Sequence, residues 1–153
     1  MKPSGLTLHY GHSYITFPHG RVDLEGLNLA PVTHIMTLDD LREYCLAKPA
    51  TEETLPFGPD TLVFKVAGKM FALTGLDEAD LRVNLKCDPE YAQQLRERHE
   101  EIVPGWHMNK THWNTVYVEN GDLPDSLVTE LVDHSYDLVV KSLTKKKRAE
   151  FGL

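Results

Sequence analysis

The sequence predicts an α+β fold in the order αβββαβα, a two-layer arrangement whose largely antiparallel sheet carries its helices on one face. Three observations predict it. Leu81 to Cys87 alternates cleanly, with Leu81, Val83, Leu85 and Cys87 facing one way and Arg82, Asn84 and Lys86 the other, the pattern of a half-buried strand. Ala67-Gly68 separates two strand-like runs, a short hairpin signal. Thr37 followed by Asp40, and Asp88 followed by Pro89, each mark a helix start, the first as a capping-box-like pair and the second as an N-cap with proline at the first helical position.

The elements follow in order. Residues 1–35 stand apart as an N-terminal extension rich in turn formers (Gly5, Gly11, Pro18, Gly20, Gly26, Pro31). Leu6 to Tyr10 and Ser13 to Phe17 alternate around Gly11-His12, so the extension reads as a hairpin, or as the product of a start called too early. Residues 36–153 form the main domain. Its first helix places Leu38, Leu41 and Cys45 on one stripe and ends before Lys48-Pro49, since a residue preceding proline resists the α region. Ala50 to Asp60 reads as a loop. Strands are expected at Thr61 to Val66, Lys69 to Thr74 and Leu81 to Cys87. The second helix carries Tyr91, Leu95 and Ile102 until Pro104-Gly105 breaks it. A fourth strand, Trp113 to Val118, turns at Asn120-Gly121. The last helix begins near Pro124 and turns Leu127, Val128, Leu131, Val132, Leu138 and Val139 toward the core.

Composition bounds the function. The chain has 153 residues, enough for one domain with a core of its own. No run reaches the ~18 apolar residues that a membrane span needs, and the start lacks a secretory pattern, so a cytoplasmic protein is expected. The only cysteines, Cys45 and Cys87, sit in apolar patterns without paired spacing; buried free thiols are expected. The net charge of −7 weighs against nucleic acid, whose affinity comes largely from Lys and Arg contacts to phosphate.

Two segments stand out. Met108-Asn109-Lys110-Thr111-His112-Trp113-Asn114 crowds amides, a cation, an imidazole and an indole together, and His134-Ser135-Tyr136-Asp137-Leu138-Val139 follows on a helix. The pair resembles the MmcQ/YjbR family of small bacterial proteins. Phe57 to Val66, Lys69 to Leu73 and Val83 to Pro89 resemble the family's first three strands, so the likeness spans about three-quarters of the chain, from Met36 to roughly Lys147. It implies a double-wing fold similar to frataxin and CyaY, and a DNA-binding role, although fold does not fix function.

The candidate residues divide by chemistry. For DNA, Lys65, Lys69, Arg82 and Lys86 are expected to share a basic sheet face, joined by Lys110 and by the tail Lys145-Lys146-Lys147-Arg148. The bland alternatives are a solubilising face and a helix end whose cations complement its dipole. For a small ligand or a protein partner, Asn109, Lys110, His112 and Tyr136 are expected to converge in a pocket between the 108–114 segment and the last helix. Trp113 is more readily a core anchor than a stacking surface. Ser135 reads as a packing residue, and His134 as a hydrogen-bonding link to the 108–114 segment. No nucleophile–base pair is visible, so no catalytic residue is expected. No metal or cofactor is expected either: His99, His107 and His112 lack metal-site spacing, and Asp39, Asp40 and Glu43 read as a solvated helix face.

Overall fold

The computed structural model describes residues 35–119 and 123–153, and the backbone of three strands among residues 6–23. The chain divides into two units, Met1–His34 and Ile35–Leu153. In the first, β1 (Leu6–His9), β2 (His12–Phe17) and β3 (Gly20–Asp23) form an antiparallel meander. Leu6 lies opposite Ile15, and Tyr14 opposite Asp23. The expected hairpin is the β1–β2 pair, and a third strand extends it. The turn at Gly11 lies outside the described residues.

The second unit is an α+β domain. Helix α1 (Leu38–Leu46) opens it with a complete capping box: Thr37 Oγ1 accepts from Asp40 N–H, and the Asp40 carboxylate accepts from Thr37 N–H at 2.8 Å. A six-stranded sheet follows, built from β4 (Thr51–Thr54), β5 (Thr61–Val66), β6 (Lys69–Gly75), β7 (Arg82–Lys86), β8 (Ile102–Pro104) and β9 (Trp113–Tyr117). Its spatial order is β4-β5-β6-β7-β9-β8, and every neighbouring pair is antiparallel. Ala67 and Gly68 both adopt positive φ, 48° and 81°, as a two-residue turn matching the twist of its strands requires. Helix α2 (Pro89–Arg98) starts at Asp88, whose carboxylate accepts from Glu90 and Tyr91 N–H. Helix α3 (Asp125–Ser142) crosses β5, β6 and β7, and α4 (Lys145–Glu150) ends the chain.

Three elements depart from the expected order. The loop expected over Ala50 to Asp60 contains β4, a Thr-Glu-Glu-Thr edge strand. An edge strand needs no apolar alternation, so periodicity missed it. Helix α2 stops at Arg98, and His99 is extended; Ile102 therefore belongs to β8, opposite Val116. The basic tail is helical, with Thr144 accepting from Lys147 N–H. The turn expected at Asn120-Gly121 lies outside the described residues.

All three longer helices pack on one face of the sheet. Leu41 and Cys45 of α1, Ala92 and Leu95 of α2, and Val128, Val132 and Val139 of α3 join Phe64, Phe71, Val83, Leu85 and Val116 in the main core. The opposite face carries a smaller cluster of Val63, Leu73 and Trp113, with Met70 and Met108 against it. Among the described residues, no helix contributes to that cluster, so within this domain the second face is not covered by the helical layer.

Candidate functional site

The register lays one row of side chains across the open face of all six strands: Thr54, Val63, Leu73, Asn84, Thr115 and Val103. Its middle is the floor of a groove of 380 Å³ lined by Leu73, Asn84 and Thr115, with Met70 and Met108 at its side, a volume in the range of small-molecule sites (~300–1,000 Å³). Phe57 and Trp106 also line it, and they are 66% and 60% exposed. Two large exposed aromatics thus stand beside one apolar hollow. At one end, Arg82 is hydrogen-bonded through two nitrogens to Glu78 and through a third to Tyr117 at 3.4 Å. The hydrogen bond that Arg82 donates to Glu78 is the main reason the Arg82 proton is held more tightly than usual. That pair leaves the groove without an uncompensated charge from either residue.

The 108–114 segment is held from beneath by Arg96 of α2. Its Nε donates to Asn114 Oδ1 at 2.7 Å, and one terminal nitrogen donates to the carbonyls of Lys110 and Trp113 at 2.5 and 3.3 Å. Asn109 Oδ1 accepts from Thr111 N–H, and Lys110 Nζ donates to Gly105 O at 3.3 Å. These polar groups tie the loop to itself, as short polar side chains commonly do. Trp113 is 8% exposed; it anchors the smaller cluster, and the exposed indole is Trp106. Sequence reading missed both Trp106 and Arg96. Trp106 sits just past the Pro104-Gly105 breaker, outside any periodic element, and that position was its only signal.

The His134-Ser135-Tyr136 run faces the other side of the sheet and stitches three backbones together. His134 Nε2 accepts from Asp88 N–H at 3.1 Å, Ser135 Oγ accepts from Lys86 N–H at 2.9 Å, and Tyr136 Oη donates to Pro49 O at 2.7 Å. The His134 link thus reaches the start of α2 rather than the 108–114 segment. Tyr136 is buried edge-on against Phe71, and burial raises its pKa. Its hydroxyl, Asn109 Oδ1 and Lys110 Nζ have separate partners, and none of Asn109, Lys110, His112 or Tyr136 lines the groove. The expected four-residue convergence is not formed: the cavity lies on the sheet's open face, because α3 is packed tightly against the opposite one.

The basic residues also divide. Lys65, Arg82 and Lys86 lie on the open face, opposite Glu52, Tyr117 and Trp113. Lys69 lies opposite Val66, so it shares that residue's helix-side face, where Nζ donates to Ser142 Oγ at 3.5 Å. The two-residue turn fixes this register and keeps Lys69 out of the expected patch. The tail comes to the same end of the sheet: Lys147 Nζ is 4.0 Å from where a Cβ on Gly68 would stand.

Cys45 and Cys87 are buried free thiols, and burial pushes them up to about 12 and about 11 respectively. Among the described residues, no three His, Cys, Asp or Glu side chains gather as a metal site would require, and no helix is long and apolar enough to cross a membrane.

Fold and groove together define an α+β domain built on one antiparallel sheet, helices on one face and a recessed hollow on the other. The chain belongs to the YjbR family, whose model matches residues 46–138. It is 41% identical to the uncharacterized protein YjbR of Escherichia coli K12 over 113 residues, covering 74% of this chain and 95% of that protein. It is 38% identical to the uncharacterized Bacillus subtilis protein YyaQ over 77 residues, 50% of this chain and 63% of that one. Among solved structures, the Deinococcus radiodurans protein DR2400, of the DUF419 domain family, superposes with a TM-score of 0.73 at 46% identity, covering 78% of this chain and 90% of its own. A Pseudomonas syringae protein gives 0.59 at 30% identity, covering 67% and 98%. The expected family and fold class both hold.

Proposed function

We propose that the protein is a non-enzymatic, cytoplasmic binding module whose ligand is a small molecule seated in the groove on the open face of the sheet. The observation that carries this reading is the pair of exposed aromatics, Trp106 and Phe57, lining an apolar hollow of ligand size. A set of flat aromatic fragments, followed by amide and side-chain NMR, tests it. Perturbations are expected at Trp106, Met70, Met108 and Leu73, and their loss is expected in Trp106→Ala. A fragment set that moves none of these resonances overturns the reading.

A second reading, binding of DNA, is favoured by a different observation: α4 brings Lys147 beside the β5–β6 turn, next to Lys69. Lys145, Lys146 and Arg148 share that short helix. Titration with duplex and single-stranded DNA at several salt concentrations decides it. Phosphate binding must weaken steeply as salt rises, and a charge-reversed Lys146→Glu/Lys147→Glu variant must weaken it further. Absence of binding at low salt removes this reading.

A further inference from the structure

The floor of the groove has a hydrogen-bond polarity that selects among ligands. Trp106 N–H donates to Thr115 Oγ1 at 2.9 Å, which directs the hydroxyl's own proton elsewhere. That proton goes to Asn84 Oδ1, a short hydrogen bond across the β7–β9 pair. With Asn84 Oδ1 taken up by the Thr115 hydroxyl, the end of the amide left to meet a ligand is its NH2, a donor. Asn84 lines the groove, and among the described residues no hydrogen bond occupies its Nδ2. The charged groups nearby do not change this polarity, because Arg82 is engaged by Glu78 and Tyr117.

We infer that the groove selects an uncharged, flat aromatic molecule bearing a carbonyl, with its ring against Trp106 and its carbonyl oxygen accepting from Asn84 Nδ2. The inference rests on the groove being a ligand site, and it adds the ligand's chemical class. The apolar wall supplies burial, and the aromatic rim supplies stacking worth more than area alone. The amide supplies orientation, since a buried donor left unmet by an ill-matched ligand costs affinity.

Two probes of similar size separate the possibilities. Coumarin is flat, neutral and carries a lactone carbonyl; indole is flat and neutral but has an N–H donor and no such acceptor. Coumarin is expected to shift the Asn84 side-chain amide and Trp106 indole resonances and to bind at least about fivefold more tightly than indole, the effect of one hydrogen bond. Coumarin-3-carboxylate, which must give up solvent where Arg82 is already paired with Glu78, is expected to bind more weakly than coumarin. Asn84→Ala should level coumarin and indole, and Asn84→Asp, which presents an acceptor instead, should reverse their order. Should one of these variants fold poorly, the other keeps the comparison intact. If both probes bind equally in the native protein and both lose binding in Trp106→Ala, the groove stands and the carbonyl selection is wrong. If neither shifts Trp106, the ligand site itself is refuted.

Discussion

The hydroxyl of Ser135 stands where a rung of the β-ladder between Phe71 and Lys86 is missing. The β6–β7 pairing ends at Ala72 opposite Leu85, so Phe71 and Lys86 would form the next pair. Phe71 instead falls at the irregularity where Lys65 pairs with Met70 and Phe64 with Ala72, a local bulge. Ser135 from α3 enters the gap, accepting from Lys86 N–H at 2.9 Å and donating to Phe71 O at 2.5 Å. Removing that oxygen strands two backbone groups beside the core. Ser135→Ala is therefore expected to destabilise by about 2–4 kcal/mol, since each buried polar group left unmet costs ~1–3 kcal/mol. Urea unfolding measures it as a lower midpoint with an unchanged slope.

Arg96 is expected to control the 108–114 segment more than any residue within it. Its guanidinium reaches one side-chain oxygen and two carbonyls, a fork that a lysine ammonium does not reproduce. Arg96→Lys should speed amide hydrogen exchange across residues 108–114 while leaving α1 and β5 protected. Exchange unchanged in the segment would remove Arg96 from this role.

Gly105 lies at the close approach of β8 and β9. A Cβ there would stand 2.8 Å from Trp113 Cβ, 3.0 Å from Met108 Cβ and 3.0 Å from the Trp113 carbonyl oxygen. Backbone and first side-chain carbons cannot swing aside as a long side chain can. Gly105→Ala should cost about 1–3 kcal/mol as overpacking and blunt fragment binding by displacing Trp106. Thermal unfolding and the NMR titration report the two effects separately.

Both thiols should be silent in the native state. Burial holds Cys45 and Cys87 in the protonated form, up to about 12 and about 11, and the thiolate is the reactive species. A chromogenic disulfide reagent at mildly alkaline pH should label neither native residue, and both in concentrated guanidinium. Fast labelling of the folded protein contradicts this burial.

The Arg42–Glu53 pair joins α1 to the edge strand β4. Arg42 Nε donates to Glu53 Oε2 at 2.5 Å, and that hydrogen bond, with the guanidinium charge, holds the Glu53 pKa below its ordinary value. A folded-state pKa below the unfolded one means the stabilisation is present above the ordinary glutamate value, ~4.3. It is lost as pH falls through the lowered value. An NMR titration of the Glu53 carboxyl carbon should give a depressed midpoint that Arg42→Ala restores to the ordinary range. The effect on stability is small, because solvent screens an exposed pair.

Local chemistry made much of the domain legible in the sequence. The capping box at Thr37, the Asp88-Pro89 start, the alternation through β7 and the Ala67-Gly68 turn depend on neighbours a few residues apart. Edge strands escaped this reading: β4 and β8 are paired on only one side, so neither needs an apolar period. The His134-Ser135-Tyr136 run could identify the family, yet its work could not be read, because its partners Asp88, Phe71 and Pro49 are remote in the chain.

By itself, then, the sequence determined the family, the α+β class and the residues available for a site. The tertiary structure decided which of them meet. The two-residue turn set Lys69 on the face away from Lys65, and α3 sealed one side of the sheet with Tyr136 inside it. The row from Thr54 to Val103 was drawn from six strands, with the exposed Trp106 beside its middle. Register across strands is a long-range property, set by which strands pair and in what order, and no local period encodes it.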